Sequence, residues 1–511
     1  MAELSAHEQL LLELINRARL DPNAEAARYG IALNQGLAAG TLVAGARQVL
    51  APDELLVDAA RAHSQWMLDN DVFSHTGVGG SVPGDRMADA GYVFSGNWTW
   101  GENIAWSGTT GPTNLTSFTE DLHRNLFLSP GHRVNILNGT FRELGNGVLE
   151  GQFTQNGVTY NSVMVTENFA TSGSDVFVTG VAYSDLDGDA FYDVGEAASG
   201  ITVTVTSGAA IIGTDTTAAA GGYAVEAGST NALVTFSGGS LAAPVSVTIS
   251  GGGANAKVDL VDGDTIFASV SAILGDNALD LRLLGSANIN GTGNVANNVL
   301  YGNAGNNVLN GLGGADIMRG GLGNDSYWID SAGDVVEEFA SAGTDSIFSS
   351  LTVSLGANVE NLYLQGSNSI WGLGNSLANV ISGNAGSNRF YSYGGNDSLT
   401  GGYGNDVFVF NTALNASSNR DVIRDFANVS GNNDRFYLEN AVFKKLAKTG
   451  NMSSAYFKVG TKAVDSNDFI IYNKSTGALY YDSNANASGG MVQIATLTNK
   501  AALSYADFYI I

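Results

Sequence analysis

The chain has 511 residues, 44% of them hydrophobic and 14% charged, so it can bury several cores and is not globally disordered. Its 23 Lys and Arg stand against 49 Asp and Glu, a net charge of −26 that disfavours nucleic acid and anionic lipid as partners and attracts cations. Cysteine is absent, which excludes a disulfide framework and thiolate metal sites and suits export without an oxidising folding step.

The opening stretch MAELSAHEQLLLELINRARLDP carries acids early and only a short apolar run, so it does not read as a Sec signal peptide. No apolar run approaches the ~20 residues of a membrane span. Residues 1–172 read as mixed α/β. Helical periodicity over 5–19 places Leu10, Leu11, Leu14, Ile15 and Ala18 on one face. A second helix is expected over 53–69, opened by Asp53 as N-cap after Pro52, and a third over 117–128; strands are expected at 144–150 and 158–170. All five histidines (His7, His63, His75, His123, His132) lie in this segment, so any imidazole chemistry belongs here.

From 174 to 262 the helical period vanishes. The runs ITVTVTS, YAVEA, ALVTF and VSVTIS between Gly, Ala and Ser turns suggest a small β-sandwich. Residues 263–285 form a bridge of unassigned structure. Residues 286–410 carry repeats of period nine: GNVANNVLY, GNAGNNVLN, GLGGADIMR and GGLGNDSYW from 293, then GNSLANVIS, GNAGSNRFY, SYGGNDSLT and GGYGNDVFV from 374. An acidic, β-like insert at 329–363 separates the two blocks. Residues 411–511 read as a final β-rich region ending in ADFYII.

The repeat unit approximates G-G-x-G-x-D-x-U-x. Its glycines suit tight turns of positive φ, and Asp at position six adds a hard anionic oxygen of the kind Ca²⁺ takes in sets of about 6–8. Position eight is apolar in every copy (Leu300, Leu309, Met318, Tyr327, Ile381, Phe390, Leu399, Phe408), and only a stack of copies can bury such a residue. Asn replaces Asp at position six in four copies (Asn298, Asn307, Asn379, Asn388), which leaves Asp316, Asp325, Asp397 and Asp406 as the expected calcium ligands. Over about 280–511 the chain resembles the RTX family. The segments DVIRDFANVSGNNDRFYL, IIYNKSTGALYYD and SYADFYII resemble the C-terminal region of serralysin-type secreted proteins. The resemblance implies a parallel β-roll that folds in extracellular calcium, and export through type I secretion machinery with the signal in the tail.

Within the sandwich segment, DLDGDAFYDVGE places Asp185, Asp187, Asp189, Asp193 and Glu196 at relative positions 1, 3, 5, 9 and 12, the oxygen spacing of an EF-hand-like calcium loop. Ala190 stands where the sharp-turn glycine belongs. The surrounding pattern resembles the B repeats of Gram-positive surface adhesins; a solvated acidic hairpin is the plainer reading.

In the first segment AARAHSQWM, NDVFSHTG, WGENIAW, FLSPGHRVNIL and VMVTENFA together resemble the CAP superfamily of cysteine-rich secretory, antigen-5 and pathogenesis-related proteins in its bacterial form. The resemblance implies an α-β-α sandwich with a cleft holding two His and two Glu. By motif these fall on His63, Glu102 and His132, and more loosely on Glu120, with Asp121 as rival. Two imidazoles and two carboxylates suit Zn²⁺, or another divalent ion, with His63 and His132 as the nitrogen ligands and a glutamate as base. The alternative for His63 is a core histidine sharing a face with Leu56, Ala60 and Met67. His75 reads as structural, His7 and His123 as solvated helix positions, and Trp98, Trp100 and Trp106 as core. Neither G-x-S-x-G nor H-E-x-x-H occurs, so a nucleophilic serine or a zincin-type protease has no support.

The expected architecture is therefore multidomain, α+β followed by all-β. Two functions fit it. One is a secreted calcium-binding protein of a Gram-negative bacterium, whose CAP module engages an extracellular lipid, glycan or protein. The other is a metal-dependent hydrolase acting through the His/Glu cleft.

Overall fold

Residues 3–511 are described by a computed structural model. Ser5 caps the first helix, α1 (Ala6–Leu20), through a capping box in which its hydroxyl accepts from the Glu8 amide and the Glu8 carboxylate accepts from the Ser5 amide. There follow α2 (Pro22–Arg28), β1 (Ala51–Pro52) and α3 (Glu54–Asp69), the last capped by Asp53, whose carboxylate accepts from Leu56 N at 2.9 Å. Next come α4 (Pro83–Asp89), β2 (Thr99–Thr109), α5 (Leu115–Leu128) and α6 (Pro130–Ile136). The long hairpin of β3 (Glu143–Gln155) and β4 (Val158–Thr171) closes this part of the chain.

The four strands form one sheet in the order β1-β3-β4-β2, antiparallel except for β1 on β3. One face packs Val163, Val165 and Phe169 against Leu11 and Ile15 of α1 and Leu122 and Leu126 of α5. The other packs beneath α3, where Met67 and Leu68 meet Ile104, Phe153 and Met164. A Cβ at Gly145 or Gly147 of β3 would run into the α3 backbone at Leu56 or Ala60, so these glycines let the helix lie directly on the strand. That contact fixes the height of His63 above the sheet.

Beyond Thr171 the chain forms two further layers. One has the antiparallel strands Ala210–Thr216, Ile201–Ser207, Asn231–Gly238, Val245–Ser250 and Ser271–Leu274 in that order. The other joins Gly222–Ala227, Val176–Tyr183, Ala256–Val261, Thr265–Ala268 and Asp280–Leu283. The stretch 263–285, unassigned from sequence, thus supplies strands to both. The chain clusters into two compact units: residues up to Asn294 with Tyr301–Gly305, and Val295–Leu300 with Asn306–Ile511. Within the first, Leu10 and Leu14 of α1 share a core with Val181, Tyr183, Tyr192 and Phe267.

The second unit is built mainly from short parallel strands, with antiparallel pairings among Ile470–Asn473, Ala478–Asp482 and Met491–Leu497. In one sheet Leu309, Tyr327, Ile347, Leu362, Ile381, Leu399 and Ile423 follow one another in register, each buried. In another, Phe390, Phe408, Phe436 and Phe508 form a second buried column. All eight apolar residues at position eight of the repeats are buried, which is the inward packing that the period of nine requires. The terminal strand Phe508–Ile510 pairs in parallel with Arg435–Leu438, and its Phe508 ring stacks on Phe436 at 5.2 Å. Among the described residues no helix is long and apolar enough to cross a membrane.

Candidate functional site

The repeat turns stack at a spacing of 18 residues, two nonapeptides. Gly314, Gly323, Gly395 and Gly404, at position four, have φ of 133°, 111°, 117° and 110°, a region that L side chains rarely adopt. The α-carbons of Gly314, Gly395 and Gly404 also sit against the carbonyls of Ala296, Leu377 and Gly386 in the preceding turn, where a Cβ has no room. Glycine at position one is required for another reason: a Cβ at Gly311, Gly320 or Gly401 would collide with the carboxylate of Asp316, Asp325 or Asp406.

Those carboxylates share one geometry. Oδ1 of Asp316, Asp325, Asp397 and Asp406 accepts the amide of Asn298, Asn307, Asn379 and Asn388 respectively, at 2.7–2.8 Å. Oδ2 of each is buried and has no hydrogen-bond partner. A buried anionic oxygen without a donor is costly unless a cation or proton meets it. Burial accordingly raises the pKa of all four, that of Asp325 to about 6 and that of Asp406 to about 7.

The asparagines at the same repeat position behave differently. Asn388 accepts from Asn384 N and donates Nδ2 to Ile370 O and Asn384 Oδ1, and Asn379 likewise donates to Val359 O and Glu360 O. In these turns the amide supplies the donors that the aspartate turns lack.

The ladder runs further than the repeats. The amides of Asp316, Asp325, Asp397 and Asp406 bond in turn to carboxylates of Asp334, Asp345, Asp421 and Asp434. Sequence reasoning missed these four because they lack the full glycine pattern of the unit, only Asp345 keeping the glycine of position four, Gly343. Their signal was the residual D-x-U in GDVV, TDSI, RDVI and NDRF.

In the acidic loop, Asp185, Asp187 and Asp189 each bring a carboxylate oxygen within 4.8 Å of the others. Asp185 accepts from Gly188 N and Ala190 N, and Glu196 closes the loop by accepting from Leu186 N and Asp193 N. Ala190 has φ 63°, so the position where an EF-hand has glycine is left-handed here too. The Asp193 pKa is pushed up to about 6, first by burial and then by Asp189 and Glu196.

At the N-terminal sheet, α3, the loop that follows it, α4, β2 and α6 bring five groups together. Glu102 is held by two cations or potential cations: Arg86 Nη2 on Oε2 and His75 Nδ1 on Oε1 at 2.8 Å. His63 lies stacked against Trp66, bonds through Nε2 to Ser74 O at 2.9 Å, and has a buried, unpartnered Nδ1. His132 also has an unpartnered, buried Nδ1. Burial lowers both imidazole pKa values, so both are neutral at pH 7. Beneath them Asn103 donates to His132 O and to the carboxylate of Glu167, and Asn135 donates to Asn103 Oδ1 and Glu102 O. Glu167 is fully buried, its Oε1 unpartnered, and burial pushes its pKa up to about 8.

The expected tetrad is therefore only partly assembled. Glu120 is exposed on α5, and the charge it acts on is that of Asp193 in the acidic loop. Its neighbour Asp121, also exposed, pairs with Arg124. Among the described residues no three His or acidic ligand atoms converge at the cleft, and Arg86 occupies the Glu102 carboxylate. His75, read as structural, bonds directly to Glu102. His123 is not solvated; it is fully buried with Nε2 3.2 Å from Glu25, while His7 is part-buried against Thr116. Trp98 is 55% exposed rather than core. Beside His63 a groove of about 430 Å³ opens between α3 and α4, lined by Ala59, Ala62, Trp66, Val78 and Arg86.

Two families of known proteins match the chain. Residues 12–169 match the cysteine-rich secretory protein family (CAP), and 292–327 and 373–408 match the RTX calcium-binding nonapeptide repeat. An uncharacterised protein of Bacillus subtilis (strain 168), YkwD, is 32% identical over 149 residues, 29% of this chain and 45% of that protein. The chain thus spans less than half the length of that relative. An extracellular protein containing a SCP domain from Bacillus anthracis str. Ames aligns over 32% of this chain and 39% of its own, at 26% identity and a TM-score of 0.21.

Proposed function

We propose, for a chain that carries a CAP domain at its N-terminal end and RTX calcium-binding repeats beyond it, that it is secreted by the type I route, folds its roll on extracellular calcium and presents the CAP module to a lipid, glycan or protein ligand. The observation that carries the calcium part is the set of four buried, unpartnered Oδ2 atoms on Asp316, Asp325, Asp397 and Asp406. Calcium bound only by the folded roll stabilises it by RT ln(1 + [Ca²⁺]/Kd) per site, so folding follows the ion from a calcium-poor cytosol to a calcium-rich exterior. The acidic loop Asp185, Asp187, Asp189, Asp193 and Glu196 is a second calcium position in this reading, supported by the convergence of its first three carboxylates. The tail's part in export has its support in the resemblance of 411–511 to serralysin-type proteins. Deleting the last strand, Phe508–Ile510, should abolish export from cells that carry type I machinery; unchanged export would refute that part.

Ligand binding rather than hydrolysis is supported by the cleft. Trp66 and Val78 give the groove an apolar wall, and Arg86 and His63 give it a polar end, a combination suited to an amphipathic molecule. The hydrolase reading needs a carboxylate free to ligate a metal or serve as base, and Glu102 is engaged by Arg86 and His75. Titrating Zn²⁺ into the chain and into the His63→Ala/His132→Ala double variant separates the two. Uptake that is weak and equal in both supports binding; tight stoichiometric uptake lost in the variant establishes the metal site. A fluorescent fatty-acid probe should bind the native chain and lose affinity about tenfold in Trp66→Ala, the order of 1.4 kcal/mol of lost contact.

A further inference from the structure

The insert between the two repeat blocks carries a carboxylate with no counterpart in any nonapeptide. Glu338 follows the short strand Val335–Val336 and lies beside two acids of the ladder, Asp325 and Asp345; one oxygen from each of the three falls within 4.8 Å of the others. Asp325 and Asp345 are both 1% exposed, and Oδ2 of Asp325 has no hydrogen-bond partner. The charges acting on Glu338 are those of Asp345, Asp325 and Glu360, all negative. Glu360 stands next in line, accepting the Asp345 amide at 2.8 Å.

We propose that Glu338 and Asp345 of the insert complete a calcium site with Asp325, the last repeat aspartate of the first block, and that the ion folds the insert onto that block. Hard carboxylate oxygens only, irregular geometry and a −3 charge select Ca²⁺ over Zn²⁺ at this position. The site accounts for how the roll passes through the insert without losing register. Asp345 takes the place of a repeat aspartate although 20 residues, not 18, separate it from Asp325, and the strand Ser346–Ser349 still pairs with Ser326–Ile329. Glu338 sits on the longer connection that this spacing creates. The Tyr327 hydroxyl donates to Glu338 Oε1 and fixes the side chain over the site.

This proposal rests on the calcium reading of the roll, and the experiment separates the two. Bound calcium is counted by atomic emission on the full chain, desalted from millimolar calcium, for the native protein and for Glu338→Gln, Asp345→Asn and Asp406→Asn. The proposal expects Glu338→Gln and Asp345→Asn each to hold one ion fewer than the native chain, with near-ultraviolet circular dichroism of the roll retained. If Asp406→Asn loses an ion while the other two match the native count, the insert site is refuted and the repeat sites stand. If the native chain holds no calcium, both readings fall. Should one of the insert variants not fold, the other decides; if neither folds at any calcium concentration, the carboxylates act in packing and the proposal is overturned.

Discussion

At position six of a repeat turn, one atom separates two ways of closing the same loop. Asn379 and Asn388 satisfy their turns with amide donors, whereas Asp397 and Asp406 present a buried oxygen that nothing in the protein meets. Asp406→Asn should therefore cost one bound ion and also relieve the calcium-free roll by roughly 1–3 kcal/mol, the penalty of an unmet buried acceptor. Equilibrium denaturation in EDTA reads the second effect. In the cleft, Arg86→Ala leaves the buried Glu102 with His75 alone. It should destabilise the first unit by about 3 kcal/mol, since it uncovers a buried charge. Glu167 gives a pH signature. Its folded pKa, about 8, exceeds the unfolded value, so the folded state binds the proton more tightly. Its effect on stability is absent below about pH 4, grows as a loss with rising pH, and levels off above about pH 8. Glu167→Gln should remove that loss, gaining roughly 2–4 kcal/mol at pH 8 by thermal unfolding and little at pH 4.

Secondary-structure elements here are set by local rules that leave a few positions under strain. Ser5 and Asp53 cap α1 and α3 as their side chains dictate. The helices α2, α4 and α6 have seven residues each, too short for periodicity to reveal, and their shared signal is proline at the first turn. Ala190 holds a left-handed φ of 63° in the acidic loop. Ala190→Gly should stabilise the loop by about 1 kcal/mol and tighten any calcium bound there, measured by thermal unfolding with and without the ion. The converse change at Gly404, with φ of 110° and the Gly386 carbonyl against its α-carbon, should be severe. Gly404→Ala is expected to cost about 2 kcal/mol or more and to raise the calcium concentration at which the roll folds.

For the whole molecule, the distribution of chemistry predicts two responses to chelation. Among the described residues the α-helices lie in the first unit and the carboxylate ladder in the second. EDTA should abolish the β signal of the repeats while leaving the helical circular dichroism of the CAP domain; loss of both together would contradict separate stabilisation. By itself the sequence determined what depends on near neighbours: the period of nine, the inward residue at position eight, the Asp53 cap, and the division of position six between four aspartates and four asparagines. These follow from backbone geometry and burial repeated at fixed spacing. Only the tertiary structure decided which distant groups meet. It put Arg86 on Glu102, left Glu120 exposed on α5, and buried His123 on Glu25. It also drew Asp334, Asp345, Asp421 and Asp434 into the ladder at separations of 18, 20, 24 and 28 residues. The physical reason is that insertions between strands change the separation along the chain but not the strand spacing, so a ladder fixed in space has no fixed period in sequence.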